Sequence, residues 1–311
     1  MPRAILVATI LATFHLSDLQ ADTVKLSTTG ICHPPQSSYY ARTKNFTPFE
    51  TVEDCLESGG RLPKGLSLAD VTVKNQSAPV KARSSQGQGG NTTNQSFNSA
   101  KRMLERDVYF DHRETLYCGA AFDAGKNVTP PVGFKSDRYQ SRARRIEWEH
   151  VVPAENFGRA FSEWRDGHPE CVDSKGKHFR GRRCAEKMNI EYRYMQSDMY
   201  NLFPVIGAVN ALRSNYNFVM MPGSTPSAFG SCAMKIEGSK AEPPEASRGR
   251  IARSYLYMDL TYPRYQMSRQ QRQLMEAWDR QFPVSAWECK RTERINRLQG
   301  NLNPILAGRC H

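Results

Sequence analysis

The sequence predicts an α+β fold, helix-rich, with a single main domain and a small disulfide-stapled segment ahead of it. Apolar residues recur at helical spacing in several long stretches, whereas alternating strand patterns are few. A polar stretch rich in Ser, Gln, Asn, Gly and Thr divides the chain over residues 67–96. Eight cysteines are spread along the chain with no Cys-x-x-Cys pair among them. That suits disulfides in an oxidising compartment better than zinc or dithiol redox sites.

From the N-terminus, Arg3 and the apolar run Ala4 to Phe14 read as a secretory signal over residues 1–21, ending at the small residue Ala21. The run is too short to span a bilayer by itself. Residues 22–66 hold Cys32 and Cys55 and little apolar material for a core, so a bridge between the two is the natural staple. Residues 67–96 have the composition of a flexible linker, and residues 97–311 form the main domain. There, Asn98 to Tyr109 has helical character, with Ser99 as a candidate cap. Ile146 to Val152 and Asn217 to Met221 read as strands. Met199, Leu202, Val205, Ile206, Val209 and Leu212 fall at helical spacing. Proline favours a first helical turn, so a helix is expected from Pro204 to Leu212 with Asn210 inside it. Glu245 to Leu260 and Ser285 to Leu298 are further helices. Ser268 and Gln271 resemble a capping box ahead of Leu274, Met275 and Trp278 on one face.

Net charge is +12, and residues 1–21 contain one Arg and one Asp, so an exported chain keeps that balance. A strongly basic exported protein suits a polyanion: nucleic acid, anionic glycan or anionic membrane surface. Charge alone does not choose among them. Two dense blocks stand out, Lys135, Arg138, Arg142, Arg144 and Arg145, then Lys175, Lys177, Arg180, Arg182 and Arg183. They flank Glu149-His150, which favours substrate binding over plain solubilising surface.

Glu149 and His150 sit side by side in the strand-like run Arg145-Ile-Glu-Trp-Glu-His-Val-Val-Pro-Ala154. Adjacent residues on a strand point to opposite faces, so both serve one site only if the strand ends or bends there. Pro153 supplies a stop. Hydrolysis of a phosphodiester needs a base for water, a cation against the phosphate charge, and something to position the phosphate. A neutral imidazole suits the first. A hard cation takes oxygen ligands, few of them from protein; Glu149 and an amide oxygen from Asn201, Asn210 or Asn215 meet that need. Arginines hold phosphate. The other histidines, His112 included, and Trp148, Trp164, Trp278 and Trp287 read as structural. The run Glu147-Trp-Glu149-His150 lacks the paired helical histidines of a His-Glu-x-x-His zinc protease. Asn45, Asn75, Asn91, Asn94 and Asn127 fit glycosylation sequons.

The run from Arg145 to Ala154, followed by Phe157-Gly158, closely resembles the bacterial endonuclease I family of periplasmic and extracellular deoxyribonucleases. The resemblance continues through Tyr109-Phe-Asp-His112, Leu116-Tyr-Cys-Gly119, Met195-Gln-Ser-Asp-Met-Tyr-Asn-Leu202, Val205-Ile-Gly-Ala-Val-Asn210, Arg213-Ser-Asn215, the block Arg248 to Met258, Pro283 to Cys289, and Gln299-Gly-Asn301. These blocks cover about two-thirds of the chain, in family order. The resemblance implies a ββα-metal, or His-Me, finger. In it His150 is the general base, Glu149 and Asn210 hold one divalent cation, and an arginine ahead of the finger helix holds the phosphate, with Arg182 the best match. Mg²⁺ is the expected cation, with Ca²⁺ or Mn²⁺ as alternatives. Two positions depart from the family pattern: Gln196, often Glu, and Tyr200, often His, both read as outer tuning of the site.

The expected protein is therefore a secreted or periplasmic monomer that cuts DNA, with RNA as a further candidate, gripping backbone through Lys135, Arg138, Arg142, Arg144 and Arg145 without base readout. The competing reading is a non-catalytic nucleic-acid-binding protein on the same fold. Four disulfides are expected. Cys171–Cys184 closes the basic loop and Cys32–Cys55 the N-terminal segment. For the remaining four cysteines spacing does not fix connectivity, and the pairing adopted is Cys232–Cys289 with Cys118–Cys310.

Overall fold

The computed structural model describes residues 23–35, 37–49, 52–67 and 89–310. The expected signal, residues 1–21, and residues 68–88 of the expected linker lie outside the described residues. The chain divides into two compact units, residues 1–84 and residues 85–311.

In the first unit, β1 (Val24–Ser27) lies between β2 (Cys32–His33) and β3 (Phe46–Phe49), antiparallel to both. With α1 (Val52–Glu57) this sheet encloses a core of Val24, Cys32, Val52 and Cys55. So small a core suits a staple, and the Cys32–Cys55 bridge supplies it.

The second unit opens earlier than residue 97. Asn91 is buried, its N–H donates to the Tyr262 hydroxyl and its side chain to the Tyr194 and Asn94 carbonyls. Two sequon asparagines, Asn91 and Asn94, are thus packed into the domain. Helix α2 (Phe97–Met103) follows, capped by Ser96, which accepts from the Ser99 N–H; the expected cap at Ser99 is one turn too late. A π-helical stretch continues it over Leu104–Val108.

Strand β4 (Ala121–Phe122) pairs with β5 (Val128–Thr129). Next comes β6 (Ile146–His150), ending where the Glu-His pair requires. Four short helices follow: α3 (Ala154–Gly158), α4 (Ser162–Arg165), α5 (Arg182–Met188) and α6 (Ile190–Gln196).

The helix expected from Pro204 begins later. Leu202–Ile206 is a fully buried strand, β7, antiparallel to β6 in the register Ile146↔Ile206, Trp148↔Pro204 and His150↔Leu202. The Pro204 carbonyl accepts from the Leu116 N–H, on the side away from β6. A strand residue's N–H and C=O point the same way, so the missing proline N–H removes no β6–β7 bond. Helix α7 (Gly207–Arg213) starts directly after β7 and carries Asn210 as expected.

Behind it, β8 (Asn217–Phe218), β10 (Lys240–Glu242) and β9 (Lys235–Glu237) form a small mixed sheet. Three long helices complete the unit: α8 (Arg248–Thr261), α9 (Arg269–Gln281) and α10 (Ala286–Gln299). Ser268 and Ser285 cap the last two by accepting from the Gln271 and Glu288 N–H groups. Trp148 and Trp278 are buried, and Trp164 and Trp287 pack against the same core.

Cys171–Cys184 forms as expected. The other two bridges are Cys118–Cys232 and Cys289–Cys310, correcting the Cys232–Cys289 and Cys118–Cys310 pairing. Cys289 sits in the first turn of α10, and the chain folds back after Gly300 to bring Cys310 within a Cα–Cα distance of 5.3 Å. Among the described residues no helix is long and apolar enough to cross a membrane.

Candidate active site

Strand alternation sends Glu147 and Glu149 to one face of β6, where each meets a residue of α7. Trp148 turns the other way and donates its indole N–H to Glu105. β6 ends at His150, and this lets the imidazole reach the same cleft as Glu149. The cleft has a volume of about 780 Å³ and is lined by His150, Glu149, Asn210, Arg182 and Arg145, so the catalytic and metal-binding candidates converge.

His150 is 7% exposed and its ring lies against Phe97, with centroids 4.7 Å apart. One ring nitrogen, Nε2, meets the Gln196 carbonyl at 2.8 Å. A carbonyl only accepts, so Nε2 carries the proton and Nδ1 keeps the lone pair of the neutral ring. Burial pushes the imidazole down to about 3, the Arg182 guanidinium adds to this, and the bond to Gln196 opposes it. The neutral ring leaves the Nδ1 lone pair free for a proton, while the same burial lowers its proton affinity.

Glu149 is buried as well. Its Oε1 accepts from the Tyr117 hydroxyl at 3.0 Å and from Arg213 Nη1 at 2.7 Å. Burial raises its carboxyl to about 6 against the pull of Arg213 and Tyr117. Arg213 itself is fully buried and also donates to the carbonyls of His150 at 3.1 Å and Val151 at 2.7 Å. One guanidinium thus fixes both the carboxylate and the strand end that presents the imidazole. Asn210 donates Nδ2 to Glu147 Oε2 at 2.7 Å, and Arg142 holds both oxygens of Glu147.

Whether a divalent cation fits turns on which oxygens are left over. Glu149 Oε2 and Asn210 Oδ1 take no hydrogen bond among the described residues, and both residues line the cleft. A carboxylate and an amide oxygen are the donors a hard cation accepts, with water completing the shell. Of the other asparagines, Asn201 is fully buried and spends its amide on the Val152 backbone. Asn215 donates to Glu155. Among the described residues no cluster of three or more His, Cys, Asp or Glu side chains is placed to hold a metal.

Arg182 opens α5, reaches Gln196 Oε1 at 3.4 Å and lies over the Phe97 ring. Gln196 is therefore the neighbour that meets the base through its backbone and the arginine through its side chain. Tyr200 is buried and donates to the Asn301 carbonyl, away from the chemistry. Of the basic block, Lys135, Arg138, Arg144 and Arg145 are exposed. Arg142 is not free in the same sense: its guanidinium is committed to Glu147. His112 stacks on Trp287, as its structural reading requires.

Sequence reasoning missed Arg213, Glu147, Tyr117 and Phe97. Period-2 spacing from Glu149 was a signal for Glu147. The i, i+3 spacing of Asn210 and Arg213 was one for Arg213, though a lone arginine at a helix C-terminus ordinarily complements the helix dipole. Nothing local marked Tyr117 or Phe97.

Among known proteins, the chain is 42% identical to an extracellular deoxyribonuclease of Aeromonas hydrophila over 223 residues, 70% of this chain and 91% of that protein. It is 40% identical to a periplasmic deoxyribonuclease of the same organism, covering 87% of it. It is 36% identical to endonuclease-1 of Buchnera aphidicola subsp. Baizongia pistaciae (strain Bp), covering 84%. The family model Endonuclease I matches residues 97–308, and the chain belongs to that family.

Proposed function

We propose that this protein is a secreted or periplasmic, divalent-metal-dependent endonuclease, acting as a monomer, that hydrolyses DNA phosphodiesters, with RNA as a further substrate, and with little sequence preference. The observation that carries the reading is the meeting of a buried neutral imidazole, a carboxylate with one uncommitted oxygen, an amide oxygen and an arginine in one cleft. Relatives named as extracellular and periplasmic deoxyribonucleases support the substrate and the compartment. In this reading β6, β7 and α7 are the two strands and the helix of a ββα-metal finger.

His150 Nδ1 accepts a proton from water as the oxygen attacks phosphorus, the bond from phosphorus to the leaving sugar oxygen breaks, and that oxygen takes a proton from solvent. Nε2–H on the Gln196 carbonyl keeps the ring in the tautomer that leaves Nδ1 basic. Glu149 and Asn210 hold one cation, Mg²⁺ with Ca²⁺ or Mn²⁺ as alternatives. When bound, it supplies positive charge against the phosphate oxygens as negative charge builds there. Arg182 holds the phosphate, and its contribution grows in the transition state. Lys135, Arg138, Arg144 and Arg145 bind backbone phosphates, which carry no sequence information.

The test is digestion of supercoiled plasmid, linear duplex and RNA over a panel of divalent cations, with EDTA as control. Expected are cleavage with Mg²⁺ and its loss in EDTA. Retained DNA binding with no cleavage under any cation would favour the non-catalytic reading instead.

A further inference from the structure

Building on the reading of Asn210 as a ligand, we infer that Glu147 is the positioning residue that orients the Asn210 amide, and that Arg142 is the clamp that holds Glu147 to that task. A carboxamide has two ends of similar shape, and only the oxygen end ligates a hard cation. An ionised carboxylate only accepts hydrogen bonds. Glu147 can therefore hold only the NH₂ end, which it does through Oε2 at 2.7 Å from Nδ2. A flipped amide would set oxygen against oxygen there and present NH₂ to the cation. Glu147 thus makes the unproductive flip unfavourable without touching the metal.

Glu147 is itself held on two sides. Arg142 donates from Nε to Oε1 at 2.7 Å and from Nη2 to Oε2 at 2.5 Å, a bidentate pair of the geometrically specific kind. The backbone closes in as well. A Cβ at position 207 would lie 2.7 Å from the Arg142 carbonyl and 2.8 Å from Glu147 Oε1, so glycine at the start of α7 lets the helix sit against this pair. With three donors already on its two oxygens, Glu147 is a poor candidate for direct ligation. The chain Arg142–Glu147–Asn210 also explains why one arginine of the basic block is half-buried while its neighbours Arg144 and Arg145 are exposed.

The test is a set of Ca²⁺ titrations by calorimetry on the metal-stripped full chain, a readout independent of cleavage. Glu147→Ala should weaken Ca²⁺ binding by about 10–100-fold, the range for a partner that orients a ligand. In an Asn210→Asp background both ends of residue 210 are oxygen and no orientation is needed. There Glu147→Ala should leave affinity unchanged or raise it, since a like charge is removed. An equal loss in both backgrounds would overturn the inference, because a direct ligand or a simple charge effect behaves that way. If the wild type binds Ca²⁺ and Asn210→Ala weakens it while Glu147→Ala does not, the orienting role fails and the ligand assignment stands. If Asn210→Ala has no effect, the ligand assignment fails and takes the inference with it. Should Glu147→Ala unfold, Glu147→Met, which fills similar space without an oxygen acceptor, replaces it in the same two backgrounds, and the same outcomes support or overturn the orienting role.

Discussion

His150 and Glu149 are consecutive, yet burial drives their protonation equilibria in opposite directions because they carry opposite charge when ionised. The imidazole, held down to about 3, stays neutral across the working range. The carboxyl, raised to about 6, gains a proton as pH falls through that value and loses its capacity to hold a cation. The acid limb of metal binding should therefore lie near pH 6 and belong to Glu149. Ca²⁺ affinity should drop below pH 6 in the wild type and in His150→Ala alike, and higher Ca²⁺ should move the limb to lower pH, because metal and proton compete. A limb that vanished in His150→Ala would assign it to the imidazole. At this scale the candidates Glu149 and His150 were legible from their adjacency at a strand end, whereas Asn210 and Arg182 came from the family resemblance. Their supports were not legible. Arg213 acts through burial, and burial of one arginine among 43 Lys and Arg residues leaves no local mark.

At the level of elements, a long helix was most readable where cap and apolar spacing agree, as at Ser268. The stretch Leu202 to Leu212 shows where that logic fails. Its apolar residues fit a helix, but β7 is buried on both faces, so its first half is apolar throughout and mimics helical spacing. The short helices α3 to α6 and the two-residue strands are too brief for any period to register. Cysteine pairing depends on where the chain turns back after α10, which spacing does not encode. The tight join of β7 to α7 gives a specific expectation. Gly207→Ala must push Arg142 or Glu147 aside and should cost about 1–3 kcal/mol, the usual range for overpacking. Urea denaturation measures this; a loss within the noise of a surface substitution would mean that the contact at position 207 relaxes freely.

For the whole molecule, a net charge of +12 and an exposed basic block suit the proposed grip on a polyanion along its backbone. The slope of log K against log salt on duplex DNA should be about −0.9 per phosphate neutralised. Reversing exposed Arg144 and Arg145 to Glu should flatten it and weaken all sequences alike. Arg142→Glu should change that slope less and metal affinity more, as its partner is Glu147. An equal flattening by all three would return Arg142 to the DNA-gripping set. The central claim, that His150 is the base in a metal-dependent cut, is tested most directly by single-turnover cleavage of duplex DNA by His150→Ala across a Mg²⁺ titration, with DNA affinity measured in parallel. Expected is a rate lower by about 10²–10⁴-fold, the worth of a general base, at wild-type affinity and with no recovery at any Mg²⁺ concentration. Cleavage at the wild-type rate, or full rescue by Mg²⁺, would contradict it.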